Sequence, residues 1–136
     1  MSEHQTIEEL LANARARLNR LEPSAALRAQ ERGAILIDLR CGDDRRASGI
    51  IPGSIHVPLS VLFWRLDPTS GYHNPRLADP AKQVVVLCAD GYSSSLAAAT
   101  LQNLGFTRAT DVIGGFNGWV AAGLPLEPAT ADAVSG

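Results

Sequence analysis

Apolar positions near the amino end recur at helical spacing: Ile7, Leu10, Leu11, Ala14, Leu18 and Leu21. That period predicts an amphipathic helix ending before Pro23. Thr6-Ile7-Glu8-Glu9 heads it as a capping box, with Thr6 as the cap and Glu9 reaching back. Arg15, Arg17 and Arg20 fall toward its carboxyl end, where the helix dipole favours cations. The apolar stripe has two uses: packing on the domain beside it, or docking a second copy in a homodimer. Ser24 is placed to cap a second helix, Ala25 to Arg32, that stops at Gly33.

The pattern then changes period. Ala34 to Arg40 and Gln83 to Leu87 are continuous apolar runs of strand length, and Ser54 to Val57 and Ala109 to Ile113 are shorter ones. Between them lie a loop or helical turn at Cys41 to Arg46, turn chemistry at Ile50-Ile51-Pro52-Gly53 and a helical stretch at Leu59 to Leu66. A loop from Asp67 to Pro80, rich in Pro, Gly, Asn and Asp, comes next. A helix at Tyr92 to Leu104, capped by Gly105, and a final one after Gly114-Gly115 complete the order. Strands that are apolar throughout and alternate with helices predict an α/β fold, a central parallel sheet of about five strands covered on both faces. The expected division is a helical extension over 1–22, one domain over 23–127 and a disordered tail over 128–136.

Composition narrows the function more than the fold. The chain has 136 residues, 46% of them hydrophobic, and a net charge of −2. It therefore gives no reason to expect nucleic acid or an anionic membrane as partner, and no apolar run is long enough to span a bilayer. The first residues lack a signal-peptide order, so a cytoplasmic location is expected. Two cysteines, Cys41 and Cys88, make no disulfide framework. His4, His56 and His73 lack metal-ligand spacing, and neither metal nor cofactor is expected. Trp64 and Trp119 read as core, with Phe63 and Trp64 lining a substrate mouth as the alternative, and Arg45 and Arg46 read as a solvated turn.

The chemistry concentrates in Val84 to Ala99. An apolar strand ends at Cys88, the loop Ala89-Asp90-Gly91-Tyr92-Ser93-Ser94 follows, and a helix begins. Unpaired N–H groups and the positive end of the helix dipole gather there, and such sites lower a cysteine pKa from ~8.5 to ~3.5–7.5. Cys88 is thus a candidate nucleophile; the competing role is a buried structural thiol. The N–H groups of Ala89 to Ser94 can form an anion-holding nest, Gly91 permits a left-handed turn, Ser93 and Ser94 offer hydroxyl donors, and Tyr92 can wall the pocket. Asp90 is expected to point outward, since an unpaired carboxylate is costly to bury. Asp38 and Arg40 end a neighbouring strand and share that sheet edge. Arg40 either faces the site as its cation or pairs with Asp38 to shape the edge. Cys41 is read as a loop thiol, with a regulatory disulfide or sulfur relay to Cys88 as the alternative.

Four segments in this order resemble the rhodanese-like family of single-domain sulfurtransferases: Leu36-Ile37-Asp38-Leu39-Arg40, Gly49 to Ile55, Val86-Leu87-Cys88 with Gly91 and Ser94, and Gly114-Gly115-Phe116 with Trp119 and Ala122 to Pro125. The resemblance runs from about Ser24 to Pro125. It implies transfer of a sulfane sulfur from a small anionic, thiosulfate-like donor to a thiol or cyanide-like acceptor through a persulfide on Cys88. By that resemblance Arg40 and Ala89 to Ser94 bind substrate, and Asp38 supports the site. Two departures stand out: Ser93 occupies a position where family members often carry arginine, and Ile50 replaces a histidine. Two alternatives remain: a non-catalytic interaction or persulfide-sensing module with this fold, and a phosphatase or arsenate reductase. The last is disfavoured because Ser93 and Ser94 stand where a bidentate arginine clamp would fall.

Overall fold

A computed structural model describes residues 4–130 and 135–136. Four parallel strands form one sheet in the order β2-β1-β3-β4: β1 (Ile35–Asp38), β2 (Ile55–His56), β3 (Val84–Leu87) and β4 (Thr110–Asp111). The helices are α1 (Ile7–Ala16), α2 (Pro23–Glu31), α3 (Gly42–Ser48), α4 (Leu62–Leu66, after a 3₁₀ turn at Leu59–Val61), α5 (Ser93–Asn103) and α6 (Gly115–Ala121). Side chains alternate across the strands and build two cores. Ile37, Val84 and Val86 meet Leu18, Leu62, Leu66, Ala97, Ala98 and Leu101 on one face. Leu36, Val85 and Leu87 meet Ala26, Phe116 and Trp119 on the other.

The expected parallel sheet forms, with four strands among the described residues. At the outer side of β4, Leu21 forms a one-residue parallel bridge with Val112. Its N–H donates to Asp111 O at 3.0 Å, and its carbonyl accepts from Ile113 N–H at 2.8 Å. Pairing stops there because Pro23 opens α2 two residues later.

That bridge also corrects the first helix. The Thr6–Glu9 capping box forms as expected, but α1 ends at Ala16 rather than near Leu21, because Arg20 and Leu21 are drawn to β4. Ala14 and Leu18 are buried, whereas Ile7 and Leu10 remain exposed. Helix α2 is capped at Glu22 with Pro23 at its first turn, so Ser24 lies inside the helix instead of capping it. Trp119 is core as expected; Trp64 is 54% exposed and is not. The tail is partly tied down. Ile50 and Glu127 form an antiparallel bridge, and Gly136 N–H donates to His56 O at 2.8 Å. The remainder of the expected disordered tail, 131–134, lies outside the described residues. Among the described residues, no helix is long and apolar enough to cross a membrane.

Candidate active site

Cys88 follows β3 directly and faces the start of α5, so strand and helix place its sulfur at the carboxyl edge of the sheet. The loop after it is fastened from two sides. At the amino end of α6, Phe116 N–H donates to Cys88 O at 2.8 Å and Asn117 N–H to Ala89 O at 3.0 Å. From the amino-terminal segment, Arg15 Nη2 and Arg20 Nη2 donate to Gly91 O at 2.7 and 3.1 Å. A trans peptide points its N–H opposite to its carbonyl. Anchoring these three carbonyls therefore turns the amides of Ala89, Asp90 and Tyr92 away from the anchors.

Gly91 has φ 86°, and its N–H donates to Cys88 Sγ at 3.2 Å. Glycine is also required across the loop, at Gly115 (φ 61°). A Cβ there would come within 2.8 Å of Ala89 O and Gly91 N, and closer still to Cys88 O.

Burial pushes the Cys88 thiol up and is the largest single influence on it. The hydroxyls of Ser94 and Ser93 and the main-chain N–H groups of Ser94 and Gly91 together outweigh burial, so the thiol lies below its ordinary value. These donors are not equivalent. Ser94 Oγ also donates to Asp111 Oδ2 at 2.7 Å. With one hydroxyl proton it serves the carboxylate or the sulfur, but not both at once. Ser93 and the two amides are the uncontested donors.

Asp90 is exposed, and its Oδ1 accepts from Asn117 Nδ2 at 2.7 Å. Tyr92 is 62% exposed with the Arg15 guanidinium 5.5 Å from its ring centre. A hollow of 340 Å³ lined by Ile7, Leu11, Tyr92, Ser93 and Leu96, with Glu8, opens beside the loop. A 660 Å³ cleft lies elsewhere, at the amino ends of β1 and β3 by Ala34 and Gln83, and no residue of the Cys88 loop lines it.

Asp38 and Arg40 make the bonds of an edge-shaping pair. Arg40 is buried; its Nε and Nη2 donate to Asp38 Oδ1 and Oδ2 at 3.1 and 2.8 Å, and Nη2 also to Gly49 O. Its guanidinium lies 3.5 Å from the Phe116 ring centre. Arg45 donates to the same Asp38 and is 7% exposed, so it is no solvated turn residue. Arg46 pairs with Asp43 at the surface. Both cysteines are free thiols, and Cys41 is exposed.

What the sequence concealed is the cluster behind the loop. Asp111, with no exposed side-chain surface, accepts from Arg20 Nε at 2.8 Å and from the hydroxyls of Ser94 and Ser95. Arg15 Nε donates to Ser95 Oγ at 3.1 Å. These partners lie 71 to 91 positions away from the two arginines in the chain, beyond any local pattern.

The model of the rhodanese-like domain matches residues 22–122. The chain belongs to this family. A thiosulfate sulfurtransferase GlpE of Pseudomonas syringae pv. syringae is 39% identical over 102 residues, covering 74% of this chain and 85% of that protein. The adenylyltransferase and sulfurtransferase UBA4 of Lodderomyces elongisporus is 34% identical over 99 residues; the match covers 72% of this chain but only 22% of that protein. Among solved structures, a Rhodopseudomonas palustris protein of unknown function, described as a possible tyrosine phosphatase, superposes with a TM-score of 0.84. It is 30% identical, and the match covers 93% of this chain and 98% of that one. The expected rhodanese-like α/β architecture is thus the observed one. Its family match begins after Arg15 and Arg20.

Proposed function

We propose that the protein is a sulfurtransferase that carries a sulfane sulfur as a persulfide on Cys88, with thiosulfate or a similar small anion as donor. The observation that carries this reading is the partly buried Cys88, its sulfur met by the Gly91 amide and the Ser93 and Ser94 donors within a rhodanese-like domain. Relatives named as thiosulfate sulfurtransferases support the reaction class. In the first step the thiolate attacks the outer sulfur of thiosulfate. A sulfur–sulfur bond forms on Cys88, the bond to the sulfonate sulfur breaks, and its electron pair leaves with sulfite. In the second, a nucleophilic acceptor such as cyanide or a thiolate takes the outer sulfur, and the electron pair returns to Cys88 as thiolate. The loop amides and the Ser93 hydroxyl are donors for the leaving oxyanion. Arg40 holds the sheet edge in this reading and does not serve as the anion clamp.

Incubation with thiosulfate and cyanide tests it: thiocyanate forms with the unmodified protein and not with Cys88→Ser. Absence of thiocyanate with the unmodified protein, or its undiminished formation with Cys88→Ser, would refute the assignment. The phosphatase reading gains little, because the Cys88 loop contains no arginine and Arg15 and Arg20 are engaged by the Gly91 carbonyl. Rapid phosphate-ester hydrolysis dependent on Cys88 would favour it instead.

A further inference from the structure

We propose that the amino-terminal segment is part of the reactive site: Arg15 and Arg20 are positioning residues that grip the Cys88 loop by the Gly91 carbonyl and set positive charge behind it. The inference rests on Cys88 being the reacting group, as in the function proposed above, but concerns residues that lie before the family match.

The geometry supports two effects. The first is mechanical. Both guanidinium groups end on Gly91 O, and the N–H of that same residue donates to Sγ. Holding the carbonyl restrains Gly91 in its left-handed conformation and keeps its amide on the sulfur. A side chain at Gly91 would also meet Arg20 Nη2 at 3.2 Å, so the arginine packs directly against the turn. The second is electrostatic. The cluster behind the loop contains Arg15, Arg20 and Asp111, leaving one net positive charge where Ser93 gives the loop none of its own. A positive charge close to a thiol favours the thiolate.

Other charged groups around the loop do not supply this. Asp90 is turned to Asn117 on α6, and Glu8 of α1 lines the hollow beside Tyr92. Arg40 and Arg45 are engaged by Asp38 at the end of β1, with Phe116 against Arg40. Helix α5 brings only hydroxyls, Ser93 to Ser95, to its first turn.

The test compares full-length proteins in a Cys41→Ser background, so that only Cys88 titrates. The pH dependence of alkylation by the neutral reagent iodoacetamide reads its ionisation. Arg15→Gln and Arg20→Gln each move the midpoint upward. Together they move it by about one pH unit, which is about a tenfold loss of thiolate below the midpoint. Asp111→Asn moves it downward, and Arg15→Lys returns most of the shift. A purely structural role predicts instead that all weakening variants shift the midpoint the same way. Arg20→Gln strands the buried Asp111, so its folding is checked by circular dichroism; Arg15, which bonds a hydroxyl and a carbonyl rather than a carboxylate, carries the test if that variant fails to fold. An unchanged midpoint in folded Arg15→Gln overturns the inference. Sulfur uptake by the unmodified protein is measured separately, so a failure of the sulfurtransferase reading shows independently.

Discussion

Ser94 stands between Asp111 and Cys88, with its hydroxyl 2.7 Å from Asp111 Oδ2 and also within reach of the sulfur. One proton cannot satisfy both acceptors. The buried carboxylate of Asp111 therefore competes with the thiolate for a donor, whereas the neighbouring Ser93 hydroxyl serves the sulfur. Ser93→Ala is expected to raise the Cys88 midpoint while leaving the urea midpoint of unfolding nearly unchanged, because Ser93 is exposed. Ser94→Ala is expected to cost about 1–3 kcal/mol of stability, since it removes a bond to a buried charge. Alkylation profiles and urea titrations of the pair check the contrast.

Gly115 and Gly33 separate steric crowding from backbone strain. Both have positive φ, but a Cβ at Gly33 meets nothing within 4 Å, whereas one at Gly115 runs into the backbone of the Cys88 loop. Gly33→Ala should cost about 1–3 kcal/mol from conformation alone. Gly115→Ala should cost more than Gly33→Ala and also slow Cys88 alkylation, because the loop has to move. Equal destabilisation with unchanged alkylation would contradict this packing.

Asp38 is the shared carboxylate of two buried arginines, Arg40 and Arg45. Asp38→Asn leaves both cations without their counter-charge and should destabilise by about 3–5 kcal/mol. Arg40→Lys keeps a charge but loses the planar fork and the stacking on Phe116, so it too should be destabilising. Urea unfolding of both variants against the parent protein measures these losses.

The lowered thiol of Cys88 also links stability to pH. A group whose folded pKa is depressed contributes stability at pH above its unfolded value, and that contribution disappears as pH falls through the folded one. Relative to Cys88→Ala, the parent protein should gain stability as pH rises across this window and lose the gain on acidification. Urea midpoints of the two proteins at a series of pH values measure the difference. The opposite slope would mean that burial, which pushes the thiol up, outweighs the loop donors.

The legible parts of the chain were those governed by neighbours in sequence. Thr6 and Glu9 lie three residues apart and form their box; Val84 to Leu87 is apolar throughout and is a central strand; Cys88 follows it and meets a helix start. What sequence pattern missed was governed by distant partners. Nothing near Ala16 marks a helix end, yet α1 stops there because Leu21 pairs with Val112 and Arg20 with Asp111. Arg45 looked like a surface cation and is buried by Asp38, while Trp64 looked like core and is left exposed. Arg15 and Arg20 have the spacing of helix-end cations, yet their partners lie on the Cys88 loop, α5 and β4.

The most direct measurement is the mass of the intact protein after brief exposure to thiosulfate, followed by peptide mapping. The sulfurtransferase account predicts a gain of one sulfur atom located on Cys88, reversed by cyanide and absent in Cys88→Ser. An unmodified Cys88, or a gain confined to Cys41, would contradict it.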